Sequence, residues 1–115
     1  MYKVEFYRDR KGRCFAIEFF NEFQIKIRAK LAKWIDKLEK EGPNLPRPYA
    51  DIVRGKIREL RVSFGSNKYR FLYFFFGERI IITHGFLKKN DRIPEGEIER
   101  ADRIMQDFLQ RSKGG

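Results

Sequence analysis

The sequence predicts an α+β fold in which helices pack on one face of a mainly antiparallel sheet. Three observations indicate this class: an alternating apolar segment at the start, a long stretch of helical periodicity, and three strand-like segments in close succession before a last helix. The expected order of elements is therefore β-α-α-β-β-β-α. The 115 residues form one ordinary domain, and the aromatic share of 16%, with 12 Phe, is enough to build its core.

The first half of the chain is predicted to contain one strand and a helical hairpin. Tyr2, Val4 and Phe6 alternate with charged residues, which is the two-residue period of a half-buried strand. Apolar side chains then recur at helical spacing from residue 15 to residue 41, where a Gly-Pro pair ends the helix. A single helix of that length is long for so small a domain, so we expect a break within residues 21–24.

The second half is predicted to form a three-stranded meander followed by a helix. An irregular connection that contains three prolines covers residues 42–56. Strands are expected over residues 57–64, 69–76 and 79–86, because apolar runs are separated there by short turns that contain glycine. Pro94, followed by several glutamates, marks the start of the last helix, since both residue types are favoured at a helix N-terminus.

The ends and the composition of the chain predict a cytoplasmic domain with a short tail. The domain is expected to span residues 1–111, with residues 112–115 as a frayed C-terminal tail. Cys14 is the only cysteine, so no internal disulfide is possible and a reducing cytoplasm is the natural setting. The N-terminus has no signal-peptide core, and no apolar stretch is long enough to span a bilayer, so we expect no membrane partner.

Charge is the strongest compositional signal. The chain has 26 Lys and Arg against 16 Asp and Glu, a net charge of +10, and residues 91–115 contribute none of that excess. A positive body favours a polyanionic partner, although charge alone leaves open RNA, DNA, an acidic protein, a membrane surface or simple solubility. No group of His, Cys and carboxylates has metal-ligand spacing and no Gly-rich phosphate loop occurs, so we expect neither a metal nor a cofactor.

The face of the sheet that the helices leave uncovered is the expected functional surface. Strand alternation places Glu59 and Arg61 on that face together with Arg70 from the next strand, and Lys88 and Lys89 follow at the exit of the third. Cations clustered there would bind a phosphodiester backbone and neutralise charge that develops on a scissile phosphate. The alternative is a solvated face whose basic groups do nothing specific.

Individual residues near this surface have more than one interpretation. Arg70 lies inside an apolar run and therefore needs a partner or a ligand. His84 has a natural pKa near neutrality, so it is either a general acid or base or a hydrogen-bonded structural residue. Lys88 and Lys89 repel each other, which would lower the pKa of both. They are either contacts to phosphate or the source of an uncharged lysine base.

Five motifs, which lie between residues 45 and 101, carry a family resemblance. They are LPRPYAD at 45–51, ELR at 59–61, YRFLYFF at 69–75, HGFLKK at 84–89 and IPEGEIERA at 93–101. Together they resemble the phage-derived branch of the RelE/HigB toxin superfamily, over nearly the whole chain. The resemblance implies a RelE-like fold. It also implies a ribosome-dependent endoribonuclease, in which the RNA 2′-hydroxyl attacks the neighbouring phosphate without a metal.

The resemblance further implies roles for individual residues. Arg70 matches the family arginine that contacts the scissile phosphate, and Arg61 and Lys89 match basic positions around it. Glu59 stands where the best-known members have a lysine, and the tyrosine that some carry near the C-terminus has no counterpart here, so the general base and acid stay open. The predicted catalytic set is Arg61, Arg70, His84, Lys88 and Lys89, and the predicted RNA contacts are Arg58, Lys68, Tyr69 and Arg92.

The expected partners are a cognate helix-turn-helix antitoxin, the ribosome and mRNA, all implied by the same resemblance. Two alternatives have the same fold and a different action. One is a ParE-like toxin that inhibits DNA gyrase, and the other is a catalytically degenerate module that binds RNA or an antitoxin. The basic face of the sheet favours RNA as the target.

Overall fold

The computed structural model describes residues 1–114, which form a five-stranded sheet, three helices and a short 3₁₀ turn. The strands are β1 (Lys3–Phe6), β2 (Ala50–Arg54), β3 (Ile57–Phe64), β4 (Asn67–Phe76) and β5 (Arg79–Leu87). The helices are α1 (Phe15–Asn21), α2 (Ile25–Glu41) and α3 (Glu95–Gly114), and the 3₁₀ turn covers Gly42–Asn44. Within residues 1–114, none of these helices has the length and apolar character needed to cross a membrane.

The sheet contains the predicted meander and one additional edge strand. Its order is β1-β5-β4-β3-β2, with β1 parallel to β5 and the other neighbouring pairs antiparallel. Strand β4 lies in the middle and is buried on both faces, as predicted for a central strand. The α+β class and the mainly antiparallel sheet are therefore confirmed.

Strand β2 lies within the stretch that the sequence predicted to be irregular. All three prolines of that stretch precede the strand, so they do not interrupt its hydrogen bonds with β3. The strand is short and lies at the edge of the sheet, where Ile52 faces solvent. Such a strand needs few buried side chains, which is why the sequence showed no clear apolar alternation there.

Helices cover both faces of the sheet, so the prediction of a single covered face is wrong. On one face, α1 and α2 pack against residues that include Leu60 and Phe71. On the opposite face, Ala101 and its neighbours in α3 pack against Leu72 and Phe74. The β4 residues alternate between these two cores because successive side chains of a strand point to opposite faces. The two sides are called the α1/α2 face and the α3 face below.

The predicted helical hairpin is confirmed, with α1 ending at Asn21 and α2 beginning at Ile25. The connection contains neither Gly nor Pro. Instead, the ring of Phe23 packs edge-on against Tyr69 and Phe19, at centroid distances of 5.0 and 4.9 Å. Burial of this aromatic ring against the sheet stabilises the bend between the helices.

The other helix ends follow the signals in the sequence. Gly42 follows α2 with a φ of 55°, a conformation that favours glycine, and a Cβ added there would lie 2.6 Å from the ring of Tyr2. Helix α3 begins directly after Pro94, as predicted. It continues to Gly114 and so includes most of the predicted frayed tail, while Gly115 lies outside the described residues.

Candidate functional site

A groove of about 380 Å³ is lined by α3-face side chains of β3 and β4 together with side chains of α2, and no residue of α3 is among its lining residues. The groove is formed by α2, by the segment before β2 and by the neighbouring strands β3 and β4. Its lining residues are Lys30, Trp34, Pro48, Tyr49, Arg61, Ser63, Lys68 and Arg70. The fold therefore leaves part of the α3 face open and lines it mainly with polar and aromatic side chains.

Two arginines occupy neighbouring positions in the floor of this groove. Arg61 of β3 is directly opposite Arg70 of β4 in the strand register, and Phe86 of β5 lies on the other side of Arg70. Glu59 shares their face because it is two residues from Arg61 along β3. The predicted grouping of Glu59, Arg61 and Arg70 on one face is confirmed.

Opposite charges alternate across three strands at this point. Arg70 Nε lies 2.9 Å from Glu59 Oε1, and Arg61 Nη2 lies 3.1 Å from Glu59 Oε2. Arg61 Nη2 also lies 3.3 Å from Asp51 Oδ2, while Arg47 Nε lies 3.1 Å from Asp51 Oδ1. The guanidinium of Arg61 is therefore held between two carboxylates.

The pair formed by Arg70 and Glu59 is internal, since each residue is only 5% exposed. Burial lowers the pKa of Arg70, the charge of Glu59 opposes that shift, and Arg61 adds to it. The partner that the sequence required for a charge inside an apolar run is therefore Glu59. Arg61 is the more accessible guanidinium, with 29% of its side chain exposed, and its hydrogen bond to Glu59 raises its pKa.

Lys68 and Lys88 lie next to each other, at the start of β4 and just after β5. Lys68 is exposed and lines the groove, and its carbonyl accepts a hydrogen bond of 2.8 Å from the backbone N–H of Lys88. Burial lowers the pKa of Lys88, and the charge of Arg70 lowers it further. Lys89 is exposed. Among the charges, Arg70 lowers the pKa of Lys88 most, Glu59 opposes it, and Arg61 and Lys68 contribute less, so the lowering does not come from Lys89 as predicted.

His84 lies outside the groove, beneath the start of α3. Its side chain is 0% exposed, and its ring nitrogens lie 3.0 Å from the Thr83 hydroxyl and 3.0 Å from a Glu97 carboxylate oxygen. Burial lowers the pKa of His84 to about 3, and the charge of Arg100 contributes. In a neutral ring, Nε2–H donates to Glu97 and Nδ1 accepts from Thr83, which requires the Thr83 hydroxyl to turn its one proton away from the Leu72 carbonyl oxygen 3.1 Å from it. The structural interpretation of His84 is therefore favoured over proton transfer to a ligand in the groove.

Four other residues predicted to act with Arg61 do not join it. Tyr69 is 1% exposed within the core of the α1/α2 face. Arg58 also points to that face, where its guanidinium lies 5.3 Å from the centroid of the Phe75 ring. Neighbouring side chains of a strand point to opposite faces, so proximity in sequence to Arg61 and Arg70 did not place Arg58 or Tyr69 beside them. The remaining two are Lys89 and Arg92, which are exposed between β5 and α3 and do not line the groove.

One wall of the groove was not predicted from the sequence. Trp34 of α2 stacks on Tyr49, with ring centroids 4.7 Å apart and an interplanar angle of 24°. Lys30, one helical turn before Trp34, lines the same groove. The spacing of Lys30 and Trp34 indicates that they share a helix face. The packing of α2 determines which part of the sheet lies next to that helix face. The sequence pattern does not contain this information.

The groove has the chemistry of a site for an anionic ligand. Arg61, Arg70 and Lys68 line the groove, and Lys88 lies near enough to Arg70 to be affected by its charge. The two carboxylates, Glu59 and Asp51, leave an excess of positive charge there. Arg61 supplies an oriented guanidinium, and Lys88 supplies an ammonium whose pKa is lowered. Among residues 1–114, no three His, Cys, Asp or Glu side chains group closely enough to hold a metal ion.

Comparison with known proteins relates this chain to a family of phage-derived proteins. The model of the family described as "Phage derived protein Gp49-like (DUF891)" matches residues 18–106, which run from α1 into α3 and include the groove. No curated protein matches the chain.

Proposed function

The chain belongs to the family of phage-derived Gp49-like proteins, which is associated with RelE-like toxins of toxin–antitoxin systems, and we propose that it is such a toxin and cleaves mRNA on the ribosome. The observation that carries the proposal is the groove, where Arg61 and Lys68 lie beside the internal ion pair of Arg70 and Glu59, with Lys88 near enough to Arg70 for that charge to lower its pKa. A surface of this kind binds the phosphate backbone of RNA. The proposed partners are a helix-turn-helix antitoxin, the ribosome and the translated mRNA.

The proposed reaction is attack by an RNA 2′-hydroxyl on the adjacent phosphate. A bond from the 2′-oxygen to phosphorus forms and the bond from phosphorus to the 5′-oxygen of the next nucleotide breaks, which leaves a 2′,3′-cyclic phosphate. The hydroxyl proton passes to a water molecule, and the leaving 5′-oxygen takes a proton from Lys88. Negative charge accumulates on the phosphate oxygens in the transition state, and a guanidinium that is already oriented stabilises it. Arg61 fits this role because Glu59 and Asp51 fix its guanidinium while part of the side chain stays accessible.

Lys88 is the proposed proton carrier. A group that exchanges a proton in the transition state works best when its pKa approaches the working pH. Burial and the charge of Arg70 both move the pKa of Lys88 in that direction. A protonated Lys88 can donate to the leaving oxygen. His84 has no part in this proposal, because it is buried beneath α3.

Arg70 is assigned a positioning role, in contrast to the direct phosphate contact that the family resemblance implied. Its charge is compensated by Glu59 inside the protein, so little uncompensated positive charge remains to attract a ligand. Arg70 fixes one side of the Glu59 carboxylate, and the other carboxylate oxygen orients Arg61. Lys88 is the proposed donor to the leaving oxygen, and no side chain is assigned as the base for the 2′-hydroxyl. Dependence on the ribosome fits this arrangement, since orientation of the RNA can supply a large part of the rate.

Expression of the chain without its antitoxin tests the proposal. Growth should stop and translated mRNA should be cleaved, and Arg61→Ala should remove both effects. Lys11→Ala is the matched control, because it removes one positive charge from an exposed turn outside the groove and should remain fully toxic. Cleavage is read by mapping new 5′ ends on abundant transcripts.

Three outcomes contradict the proposal in different ways. DNA damage with intact mRNA indicates the gyrase-directed alternative. Harmless expression of a folded, soluble chain indicates a degenerate binding module. Cleavage by Arg61→Ala at the rate of the unaltered chain excludes the groove as the site of reaction.

A further inference from the structure

We propose that the stacked pair of Trp34 and Tyr49 beside the groove is a platform for an RNA base, and that lysines of α2 hold the adjoining backbone. This inference deepens the proposed function and rests on it, because it names a second contact of the same RNA strand. The pair is called the aromatic platform below. The site would take single-stranded RNA, whose unpaired bases are free to stack on aromatic side chains.

The aromatic platform presents a free surface next to Arg61. Tyr49 is 41% exposed, whereas Trp34 is partly buried against the core of the α1/α2 face. The Lys37 ammonium lies 5.4 Å from the centroid of the Trp34 ring, so Trp34 already has two ring neighbours, Tyr49 and Lys37. Within residues 1–114, Tyr49 has no aromatic or cationic ring neighbour besides Trp34. A base that stacked on the outer side of Tyr49 would extend the existing stack by one ring.

The platform is tied to the phosphate-binding part of the groove. The carbonyl oxygen of Tyr49 accepts a hydrogen bond of 2.8 Å from the backbone N–H of Arg61. The N–H of Tyr49 donates in turn to the carbonyl of Pro46 at 2.9 Å. The backbone next to the ring is therefore fixed relative to the Arg61 guanidinium, and a base and its phosphate would meet two contacts already in place. Such preorganisation lowers the entropy lost on binding.

A row of lysines continues from the platform along α2. Lys26, Lys30, Lys33 and Lys37 recur at intervals of four, three and four residues, which places them on one helix face. At a rise of about 1.5 Å per residue, the row extends over roughly 16 Å. Lys30 belongs to the groove lining as well, so the lysine row and the groove form one continuous cationic path.

RNA explains this combination better than an acidic protein segment does. Lysines alone would attract either polyanion, because charge attraction carries little chemical specificity. An aromatic pair whose Tyr49 is exposed, between two sets of cations, matches the repeating base and phosphate of a single strand. An acidic peptide would use the lysines and leave the outer side of Tyr49 without a matching group.

Fluorescence of Trp34 provides a direct test, because it is the only tryptophan in the sequence. The purified full chain is titrated with a short oligoadenylate and with an abasic ribose-phosphate oligomer of the same length. Oligoadenylate should bind more tightly and change the Trp34 emission, and Tyr49→Leu should weaken its binding by at least about fivefold. The abasic oligomer should bind Tyr49→Leu with the same affinity as it binds the unaltered chain. Tyr49→Phe keeps the stack and should bind both as the unaltered chain does.

The lysine row and the competing occupant need separate controls. Replacing Lys26 and Lys33 with glutamine should weaken the binding of both oligomers by the same factor, since contacts to phosphate do not depend on the base. Equal affinity of the unaltered chain for the two oligomers, no binding of either, or unchanged binding by Tyr49→Leu overturns the inference. An acidic peptide of equal charge that changes Trp34 emission as strongly as oligoadenylate also overturns it, in favour of a protein partner.

The two proposals can fail independently. If Arg61→Ala abolishes mRNA cleavage while Tyr49→Leu binds RNA normally, the nuclease stands and the platform does not. If Tyr49→Leu loses base-dependent binding while the unaltered chain leaves mRNA intact in cells, the platform stands and the nuclease does not.

Discussion

Replacing Glu59 with leucine is expected to lower the free energy of unfolding by about 3–5 kcal/mol. Glu59 and Arg70 are each 5% exposed and lie 2.9 Å apart, so the substitution leaves a buried guanidinium without its counter-ion. Arg61 also loses a contact, but it keeps Asp51 and is partly exposed, so that loss contributes only about 0–1 kcal/mol. The unpaired charge of Arg70 therefore dominates the effect.

Adding Arg70→Met to Glu59→Leu should recover most of the lost stability. The double variant has no unpaired buried charge, and apolar residues of similar volume replace a buried ion pair with little loss. Urea unfolding followed by Trp34 fluorescence gives the free energies of the unaltered chain, both single variants and the double variant. If Glu59→Leu is as stable as the unaltered chain, or if the two substitutions simply add, internal pairing of Arg70 is refuted.

The same double variant separates the two roles considered for Arg70. If Arg70 acts only by holding Glu59, Arg61 remains oriented by Asp51 in the double variant and some growth arrest persists. If Arg70 contacts the phosphate, a stable double variant will be as harmless as Arg61→Ala. The assay is the growth arrest described above, performed at matched protein levels.

Two further predictions concern the stability of the fold. Between pH 7 and pH 5, the unaltered chain should lose about 2 kcal/mol more unfolding free energy than His84→Asn. In the unfolded state His84 takes up a proton below about pH 6.5, whereas in the folded state its ring stays neutral until about pH 3. Equal losses of unfolding free energy for the two proteins in urea titrations would contradict this account. Gly42→Ala should destabilise the chain by about 1–3 kcal/mol, since its Cβ would meet the ring of Tyr2 at 2.6 Å. Gly55→Ala has a similar φ of 54° and open space, so thermal unfolding should give it a smaller loss, and an equal loss would mean that the Tyr2 contact is unimportant.

Much of the sheet could be predicted because its signals are local. Alternation along β3 separates Leu60 from Glu59 and Arg61, and this separation requires only the pleat of a strand. The need of Arg70 for a partner was also visible, since a charge inside an apolar run must be compensated. The partner proved to be a side chain on the neighbouring strand.

The placement of α3 could not be predicted in the same way. An apolar stripe indicates that a helix is buried, without indicating which face of the sheet it covers. The strongest hint was β4, whose Leu72 and Phe74 needed a cover on the side opposite Phe71. Tyr49 and Trp34 were missed for a related reason, because their contact joins segments that are distant in sequence.

The HGF segment shows how a motif near the groove can serve the fold. His84 is directly opposite Leu72 in the register and contacts Glu97 in the first turns of α3, so it anchors that helix to β5. Gly85 points to the other face, where a Cβ would lie 2.3 Å from the ring of Phe19. Phe86 lies beside Arg70 in the sheet.

These contacts set the border between the α3 core and the groove. Leu72 and Arg70 are successive residues on the same face of β4, one beneath α3 and the other in the groove. The anchor at His84 fixes where α3 begins and therefore how much of that face stays open. On this reasoning the motif matters for the proposed function because it limits the cover on the groove, while the groups proposed to act on RNA lie on the neighbouring strands and just after β5.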